Sequence, residues 1–273
     1  MDDKRIFFMS GLQRSGSTVL CNILQQHPDV FTVPTDPFFD VIDGTMMNVF
    51  ENKIGSAFDF EVFDKGLHQF LLDGLQGWYK SLTDKPVIVS KNRNWHKLSH
   101  LFPDAKFIVT VRDLFDFADS MLRKQYSTLS MSSPLVDGSY IKSSNSKDYI
   151  KHQVFTDEGL QRGLKNLIYL HEKDRGRVEF IRYEDLVHHT SEALRCIHDH
   201  MDIEPFEYDL NNIQQQSLYE HDGYYMGQCS HVTKSKLQPP SNTPALSEEV
   251  RDILRSDQLT SWFYDIFYPV DQR

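Results

Sequence analysis

Residues 6–18 read Ile6-Phe7-Phe8-Met9-Ser10-Gly11-Leu12-Gln13-Arg14-Ser15-Gly16-Ser17-Thr18, an apolar run that passes directly into a loop of glycine and small polar residues. A strand, such a loop and a helix start form an anion site from backbone N–H groups and the helix dipole. Loops that bind nucleoside triphosphates read GxxxxGKS or GxxxxGKT, and their lysine reaches the β- and γ-phosphates. Ser17 stands at the position of that lysine. We therefore predict an anion shorter than a triphosphate chain.

The composition is that of an acidic protein of 273 residues with a formal net charge of −10. This length suits one large domain over residues 1–273 with an ample core. The negative field argues against a general binder of nucleic acid or membrane surfaces, so local donors must hold any anionic ligand. Residues 1–5 lead straight into the first apolar run, and no apolar stretch approaches the roughly 18 residues of a membrane helix. We expect a cytoplasmic protein.

The three cysteines, Cys21, Cys196 and Cys229, show neither a CxxC pair nor the spacing of a disulfide framework. Cys21 lies in an apolar helical stretch, where a buried structural thiol is favoured over a reactive one. The histidines show no metal-ligand spacing either. We expect no bound metal.

Four short runs rich in Val, Ile and Phe predict the strands of a buried parallel sheet, at residues 6–9, 86–90, 106–111 and 178–181. Helical periodicity separates these runs, at residues 18–27, 60–82, 115–124, 160–173 and 191–201. Ser15 or Ser17 suits the cap of the first helix. The alternation predicts an α/β fold with a central parallel sheet flanked by helices, and such sheets bind ligands at the carboxyl ends of their strands.

Residues 125–152 include a stretch rich in Ser, Asn and Gly without periodicity, which is long for a compact domain. A mobile loop or lid and a bland surface insertion both fit this composition. No internal repeat or linker divides the chain.

Polar residues follow the first two predicted strands. The loop after the first strand carries Arg14, which offers a planar donor fork, and the hydroxyls of Ser15, Ser17 and Thr18. Lys91 follows the second strand, where it is either merely solvated or a positive charge beside the first loop. The second interpretation gains weight when neighbouring strand ends also bind anions.

The third strand ends at Arg112, and Ser120 lies on the helix that follows. An arginine and a hydroxyl converging from these two elements can clamp a second phosphate group. The alternative is a surface ion pair between Arg112 and Asp116, which would be weakly stabilising.

The fourth strand ends in Arg182-Tyr183-Glu184-Asp185. Arg182 or Tyr183 is a candidate for contact with a base or sugar. Glu184 and Asp185 are candidates for the acids of a helix start, where the helix dipole favours negative charge.

Four motifs in this order resemble the P-loop sulfotransferases that use 3′-phosphoadenylyl sulfate (PAPS), nearest their tyrosylprotein and bacterial branches. The motifs are RSGST at 14–18, HPDV at 27–30, VRDxxDxxxSxxR at 111–123 and RYEDL at 182–186. RSGST alone is a weak signal, and its combination with the third motif is a strong one. The resemblance implies a three-layer fold like that of P-loop NTPases and transfer of a sulfuryl group by in-line displacement.

The same resemblance assigns the donor site. The first loop would bind the 5′-phosphosulfate of PAPS through Arg14, Ser15, Gly16, Ser17 and Thr18. Arg112 and Ser120 would bind the 3′-phosphate. The missing lysine is then explained, because the 5′ end carries one phosphate and one sulfonyl group and the family needs no Mg²⁺.

Further roles follow from the resemblance. Lys91 is similar in position to a catalytic lysine of the tyrosylprotein branch, and with Arg14 it would neutralise charge on the bridging oxygen. Of the two candidates at the end of the fourth strand, Tyr183 is our choice for the contact with the cofactor. Residues 231–236 look like the family segment that returns a serine and a lysine, here Ser235 and Lys236, to the cofactor. The product would be 3′,5′-bisphosphoadenosine (PAP).

The general base is where the chain departs from the family pattern. Transfer to a hydroxyl benefits from a group that takes the acceptor proton, and the tyrosylprotein branch has a glutamate shortly after its HPDV-like turn. Ungapped counting puts that position at Thr35, and Asp36 follows one residue later. Asp36 is our candidate, with an Asp-Pro turn that caps the next helix as the alternative. His96 is a second candidate base.

Three functions compete on this sequence. The favoured one is a PAPS-dependent sulfotransferase with a small-molecule or peptide acceptor that presents a hydroxyl or amine. A degenerate P-loop kinase or nucleotidase is the second, and Ser17 in place of lysine argues against it. A non-catalytic nucleotide-binding module is the third. The sequence carries no signal for an oligomeric state.

Overall fold

The computed structural model describes residues 3–34, 36–38, 40–42, 44, 60–92, 98–99, 101–120, 160–215, 235–239, 246 and 248–269. A parallel sheet forms its centre, with strands β1 Arg5–Gly11, β2 Val30–Val33, β3 Val87–Lys91, β4 Lys106–Val111 and β5 Val178–Arg182. The strand order is β2-β3-β1-β4-β5. Four of these strands are the predicted apolar runs.

Helices follow the strands along the chain: α1 Ser17–Leu24, α2 Phe60–Leu82, α3 Leu160–Lys173, α4 Tyr183–His188, α5 Thr190–Met201, α6 Glu248–Ser256 and α7 Gln258–Phe267. Residues 114–120 are also helical. A 3₁₀ turn, Arg175–Arg177, leads into β5. Because parallel strands need crossover connections, these helices come to lie on the faces of the sheet.

The two faces of the sheet bury different hydrophobic clusters, since successive side chains of a strand point to opposite sides. Met9 and Val89 pack with α1 and α5 on one face. Phe8, Ile88 and Val109 pack with α2, α3 and α7 on the other. The result is the predicted three-layer α/β architecture, with helices on both faces of a buried parallel sheet.

The predicted helices over 60–82 and 160–173 match α2 and α3 at both ends. The first predicted helix was too long, because α1 ends at Leu24 while Pro28 disfavours helical backbone at His27. The strand β2, the short α4 and the two C-terminal helices were not predicted. The predicted helix over 115–124 is described as far as residue 120, and the loop predicted at 125–152 lies outside the described residues.

Cys21 is fully buried, as predicted, and its thiol lies 3.5 Å from the Met9 sulfur. Cys21 and Cys196 both carry thiols and form no disulfide, and Cys229 lies outside the described residues. None of the helices in the described part of the chain is long and apolar enough to cross a membrane.

Candidate active site

The site lies at the edge of the sheet where β1, β3, β4 and β5 end together. The parallel register aligns Met9 with Lys91, Gly11 with Thr110, and Val111 with Arg182. The polar residues that follow these strands are therefore neighbours in space, although up to about 170 residues separate them in sequence.

Glycine is required at two positions of the loop between β1 and α1. Gly11 has φ 141°, and a Cβ there would lie 2.1 Å from the Thr110 carbonyl oxygen. Gly16 has φ 90°, and a Cβ there would lie 2.5 Å from the ring of Tyr183. Arg14 also adopts a positive φ, of 62°. The loop thus folds tightly against β4 and α4.

The N-terminus of α1 is open to an anion. Its N-cap is Gly16, without a side-chain hydrogen bond, and its first turn contains no acidic residue. The expectation that Ser15 or Ser17 caps this helix was wrong. The first amides of a helix have no intrahelical acceptor and carry the positive end of its dipole, so this end of α1 favours negative charge.

Ser15 has turned its hydroxyl away from the open side of the loop. The side chain is fully buried. Its Oγ donates to the Leu12 carbonyl oxygen at 2.5 Å and lies 2.6 Å from Thr110 Oγ1. These contacts fasten the loop to β4, and the Ser15 N–H also donates to the Leu12 carbonyl oxygen at 3.3 Å, so both donors of Ser15 are used within the loop in this arrangement.

Arg14, Arg112 and Ser120 meet between the first loop and the β4 exit. Arg14 Nε donates to Ser120 Oγ at 3.1 Å, and Arg112 Nη1 donates to the Arg14 carbonyl oxygen at 3.0 Å. Arg112 Nε is buried and has no hydrogen-bond partner among the described residues. Arg112 and Asp116 form no ion pair there, so the interpretation of Arg112 as a surface ion-pair partner was wrong.

The ring of Tyr183 lies against Arg112 in the same region. The Arg112 guanidinium carbon lies 4.7 Å from the centroid of its ring, a cation–π geometry. Its hydroxyl donates to the Gln238 carbonyl oxygen at 2.7 Å. Burial raises the pKa of Tyr183, against the opposing effect of Arg112.

The segment 235–239 reaches the site through that bond to Gln238. A second bond, from the Ile213 N–H to the Ser235 carbonyl oxygen at 2.8 Å, ties its beginning to the body of the protein. The side chains of Ser235 and Lys236 are exposed. The segment therefore lies beside Tyr183, with both predicted side chains in solvent.

Arg182 is engaged within its own turn. Its guanidinium forms a bidentate pair with Asp185, at 2.6 and 2.8 Å. Glu184 and Asp185 occupy the first turn of α4, as the helix-start interpretation predicted. Of the two candidates for contact with a base or sugar, Tyr183 is the one that faces the loop.

Lys91 ends β3 beside the first loop, where its Nζ donates to Thr18 Oγ1 at 2.5 Å. Because side chains alternate along β3, Ser90 points to the other face of the sheet. There the Asp36 carboxylate accepts three hydrogen bonds, at Oδ2 from Ser90 Oγ at 2.6 Å and from the Tyr79 hydroxyl, and at Oδ1 from the Phe38 N–H at 2.9 Å.

Asp36 is 7% exposed, and its bond to Phe38 is the helix-capping contact that the Asp-Pro alternative predicted. Burial, with the negative charge of Asp36, raises the pKa of Tyr79. Thr35 and His96, the other positions considered for a base, lie outside the described residues.

A model of the sulfotransferase family matches residues 7–208. The chain belongs to this family. The match contains all four motifs on which the resemblance rests and ends before α6 and α7. The prediction of a sulfotransferase is thereby confirmed.

Solved sulfotransferases share the fold. The sulfotransferase domain from the curacin biosynthetic pathway is 19% identical over 97% of both chains, with a TM-score of 0.51. That of the Synechococcus PCC 7002 olefin synthase is 17% identical over 96% of both chains, with a TM-score of 0.50. Sulfotransferase STF9 from Mycobacterium avium is 13% identical over 98% of this chain and 78% of its own, with a TM-score of 0.50. No curated protein sequence matches this sulfotransferase.

Several residues of the sulfotransferase site were not predicted from sequence: Tyr79, Ser90, Thr110, Tyr264 and Tyr268. Tyr79 carried a usable signal, because Leu71, Leu75 and Tyr79 share one face of α2 and a buried tyrosine hydroxyl needs a partner. Within the described residues, no group of three or more His, Cys, Asp or Glu side chains could hold a metal ion.

Proposed function

We propose that this sulfotransferase transfers a sulfuryl group from PAPS to a hydroxyl or amine and releases PAP. The observation that carries the proposal is a pair of adjoining anion sites. One is the open N-terminus of α1, and the other is Arg112, whose buried Nε has no hydrogen-bond partner in the part of the chain that the structure describes. The contacts of Arg14 with Ser120 and Arg112 join them. A nucleotide with anionic groups at both its 5′ and 3′ positions fits such a pair.

The first site is proposed for the 5′-phosphosulfate. The amides after Gly16, the Arg14 guanidinium and the hydroxyls of Ser17 and Thr18 supply its donors, and Ser15 contributes by holding the loop in shape. Lys91 lies against Thr18. Arg14 and Lys91 thus supply positive charge at this site, and the loop itself lacks the P-loop lysine that a γ-phosphate uses.

The second site is proposed for the 3′-phosphate. Arg112 presents a planar fork that suits phosphate oxygens, and Ser120 adds a hydroxyl. The ring of Tyr183 packs against the Arg112 guanidinium. We propose that the same ring contacts the nucleoside part of the ligand. Ser235 and Lys236, which begin the segment 235–239 beside Tyr183, are proposed as outer contacts of the cofactor.

The proposed reaction forms a bond from the acceptor oxygen or nitrogen to sulfur and breaks the bond from sulfur to the bridging phosphate oxygen. Negative charge then collects on that oxygen, and Lys91 and Arg14 stabilise it. The acceptor proton passes to Asp36. The two carboxylate oxygens offer about four lone-pair positions, and the three hydrogen bonds to Asp36 leave one of them, on Oδ1, for an acceptor hydroxyl.

The remaining expectations belong to the same proposal. We propose one domain over residues 1–273, a metal-free reaction, a cytoplasmic location, and a small-molecule or peptide acceptor. The aromatic and apolar character of residues 38–78 suits an apolar or aromatic acceptor, although core packing explains much of it.

Isothermal titration calorimetry of PAP with Mg²⁺ removed by EDTA tests the donor site. We expect binding to the wild-type protein, and Arg112→Ala to weaken it about 10- to 100-fold because a hydrogen-bonded charge is lost. Arg195→Ala is the matched control, since Arg195 is exposed on α5 and pairs with Asp199. Absence of PAP binding, with Mg²⁺-dependent ATP binding in its place, would favour the degenerate kinase.

Transfer of labelled sulfate from PAPS to a panel of phenols, alcohols, amines and tyrosine peptides tests the chemistry. We expect at least one class to be sulfated. A protein that binds PAP and sulfates none of them is the non-catalytic module.

A further inference from the structure

The C-terminal helix α7 lies outside the residues matched by the family model and makes hydrogen bonds beside the β4 exit. The Tyr264 hydroxyl donates to Asp113 Oδ2 at 3.0 Å and accepts the Leu114 N–H at 3.1 Å. The hydroxyl of Tyr268, the C-cap residue of α7, donates to Glu184 Oε2 at 2.7 Å. Two tyrosines four residues apart thus each hold one carboxylate.

Both carboxylates belong to the surroundings of Arg112. Asp113 is its neighbour in sequence, and Glu184 follows Tyr183, whose ring supports the Arg112 guanidinium. Glu184 Oε1 also accepts the Asp113 N–H at 3.2 Å. An acidic side chain in this position can pair with Arg112 and occupy the donors that an anion needs.

Asp113, Glu184 and the nearby Asp185 instead have other partners. Asp113 Oδ1 accepts the N–H groups of Phe115 and Asp116, and its Oδ2 accepts Tyr264. Asp185 is held by Arg182. Asp116 stays within electrostatic reach of Arg112 without an ion pair, and burial beside Asp113 raises its pKa to about 6.

Helix α7 is anchored at its N-terminus and by two buried phenylalanines, so it can hold the Tyr264 and Tyr268 hydroxyls in place. Its N-cap Asp257 accepts the Thr260 N–H at 2.9 Å. Phe263 and Phe267 are buried in the core on the α3 face of the sheet. Arg182, already paired with Asp185, lies over the ring of Tyr268 at 5.5 Å.

We propose that Tyr264 and Tyr268 are positioning residues of the donor site, which keep Asp113 and Glu184 off Arg112 and so leave its guanidinium open to the 3′-phosphate. This inference rests on the proposed function for the identity of the anion. It makes α7 part of the donor site, although neither tyrosine need touch the nucleotide. Loss of the hydroxyls frees a carboxylate, above all the longer Glu184, to pair with Arg112.

The test compares Tyr264→Phe, Tyr268→Phe and the double variant by calorimetry with PAP and with adenosine 5′-monophosphate, which lacks the 3′-phosphate. We expect the double variant to bind PAP about 5- to 20-fold more weakly and the monophosphate within about twofold of wild type. Adding Glu184→Gln to Tyr268→Phe should restore PAP binding, since the competing charge is gone. Tyr208→Phe is the control, because it removes a buried hydroxyl bonded to His198 on the other face of the sheet.

Unchanged PAP affinity in a folded double variant overturns the proposal, and so does an equal loss for both nucleotides, which is the mark of a merely structural role. A crystal structure of the double variant is a readout independent of PAP. It should show Glu184 on Arg112, and Glu184 in its original place would contradict the inference. Failure of wild-type protein to bind PAP is a different result, and it refutes the proposed function.

Discussion

Beside the exit of β3, Asp36 lies against the Tyr79 hydroxyl, and at the exit of β4, Asp113 lies against the Tyr264 hydroxyl, yet the two carboxylates have different surroundings. Asp36 accepts from Tyr79, Ser90 and one backbone N–H. Asp113 accepts from Tyr264 and two backbone N–H groups. Each therefore makes three hydrogen bonds, and the difference lies in the kind of donor.

The Asp36 carboxylate accepts one backbone amide, whereas the Asp113 carboxylate accepts two amides on a single oxygen, Oδ1. The free position on Asp36 Oδ1 can take up a proton while the hydroxyls of Ser90 and Tyr79 go on donating to Oδ2. At Asp113 the two amides fill Oδ1, so that carboxylate is held as a helix cap. We therefore propose that the β3 exit serves proton transfer and that the β4 exit serves anion binding. Substitutions at β3 should therefore act on kcat, and those around β4 on nucleotide affinity.

Asp36→Asn should have the largest effect. The amide keeps the shape and can still accept hydrogen bonds, but it cannot take the acceptor proton. We expect kcat to fall by about 10²- to 10⁴-fold while the Kd for PAP stays within about twofold of wild type. Steady-state kinetics and calorimetry measure the two quantities, with the exposed Asp40→Asn as control. An unchanged kcat would mean that Asp36 only caps the following helix. An equal loss of PAP affinity would contradict the expectation that substitutions near β3 act on kcat alone.

Lys91→Met should follow in size. Methionine keeps an unbranched chain but loses the charge beside Thr18 that is proposed to stabilise the departing phosphate. We expect kcat to fall by about 10²- to 10³-fold, with a smaller change in PAP affinity. Lys65→Met, at an exposed position of α2, controls for loss of a surface charge. If PAP affinity falls as far as kcat, Lys91 is a binding residue and belongs with the β4 exit.

Sequence alone predicted the parts of this comparison that depend on local pattern. The helices α2 and α3 were predicted at both ends because their apolar positions recur over many turns. The lysine-free loop, Arg112 and Ser120 could be placed together because parallel strands end at one edge of the sheet. The strand β2 was missed because four residues, Val30–Val33, carry too little periodicity.

The features of the site that were not predicted depend on contacts between residues far apart in sequence. Gly16 is the N-cap of α1 because the ring of Tyr183 excludes any Cβ there, and nothing near Gly16 in sequence signals this contact. The Ser15 hydroxyl was predicted to bind the ligand, but it points inward and forms a hydrogen bond with the Thr110 hydroxyl. The bonds from Tyr264 and Tyr268 join α7 to residues 151 and 84 positions away. Such partners follow from tertiary packing, which local propensity does not encode.

Asp116→Asn is the smallest and sharpest test of the β4 exit. Burial, with the charge of Asp113, raises the pKa of Asp116 from 3.8 to about 6, so the folded state binds this proton more tightly than the unfolded state. The contribution of Asp116 to stability is therefore greatest in acid and declines as the pH rises to about 6. In thermal denaturation, we expect the Tm of the variant to exceed that of the wild-type protein by an amount that grows as the pH rises from 4.5 to 6. Between pH 6 and 7.5 this difference in Tm should stay constant, at roughly 2 °C. Asp104→Asn, at an exposed turn, should show no such trend. A difference in Tm that does not change with pH would mean that Asp116 is well solvated and is not crowded by the carboxylates around Arg112. That result would also weaken the argument that Tyr264 and Tyr268 are needed to hold Asp113 and Glu184 away from Arg112.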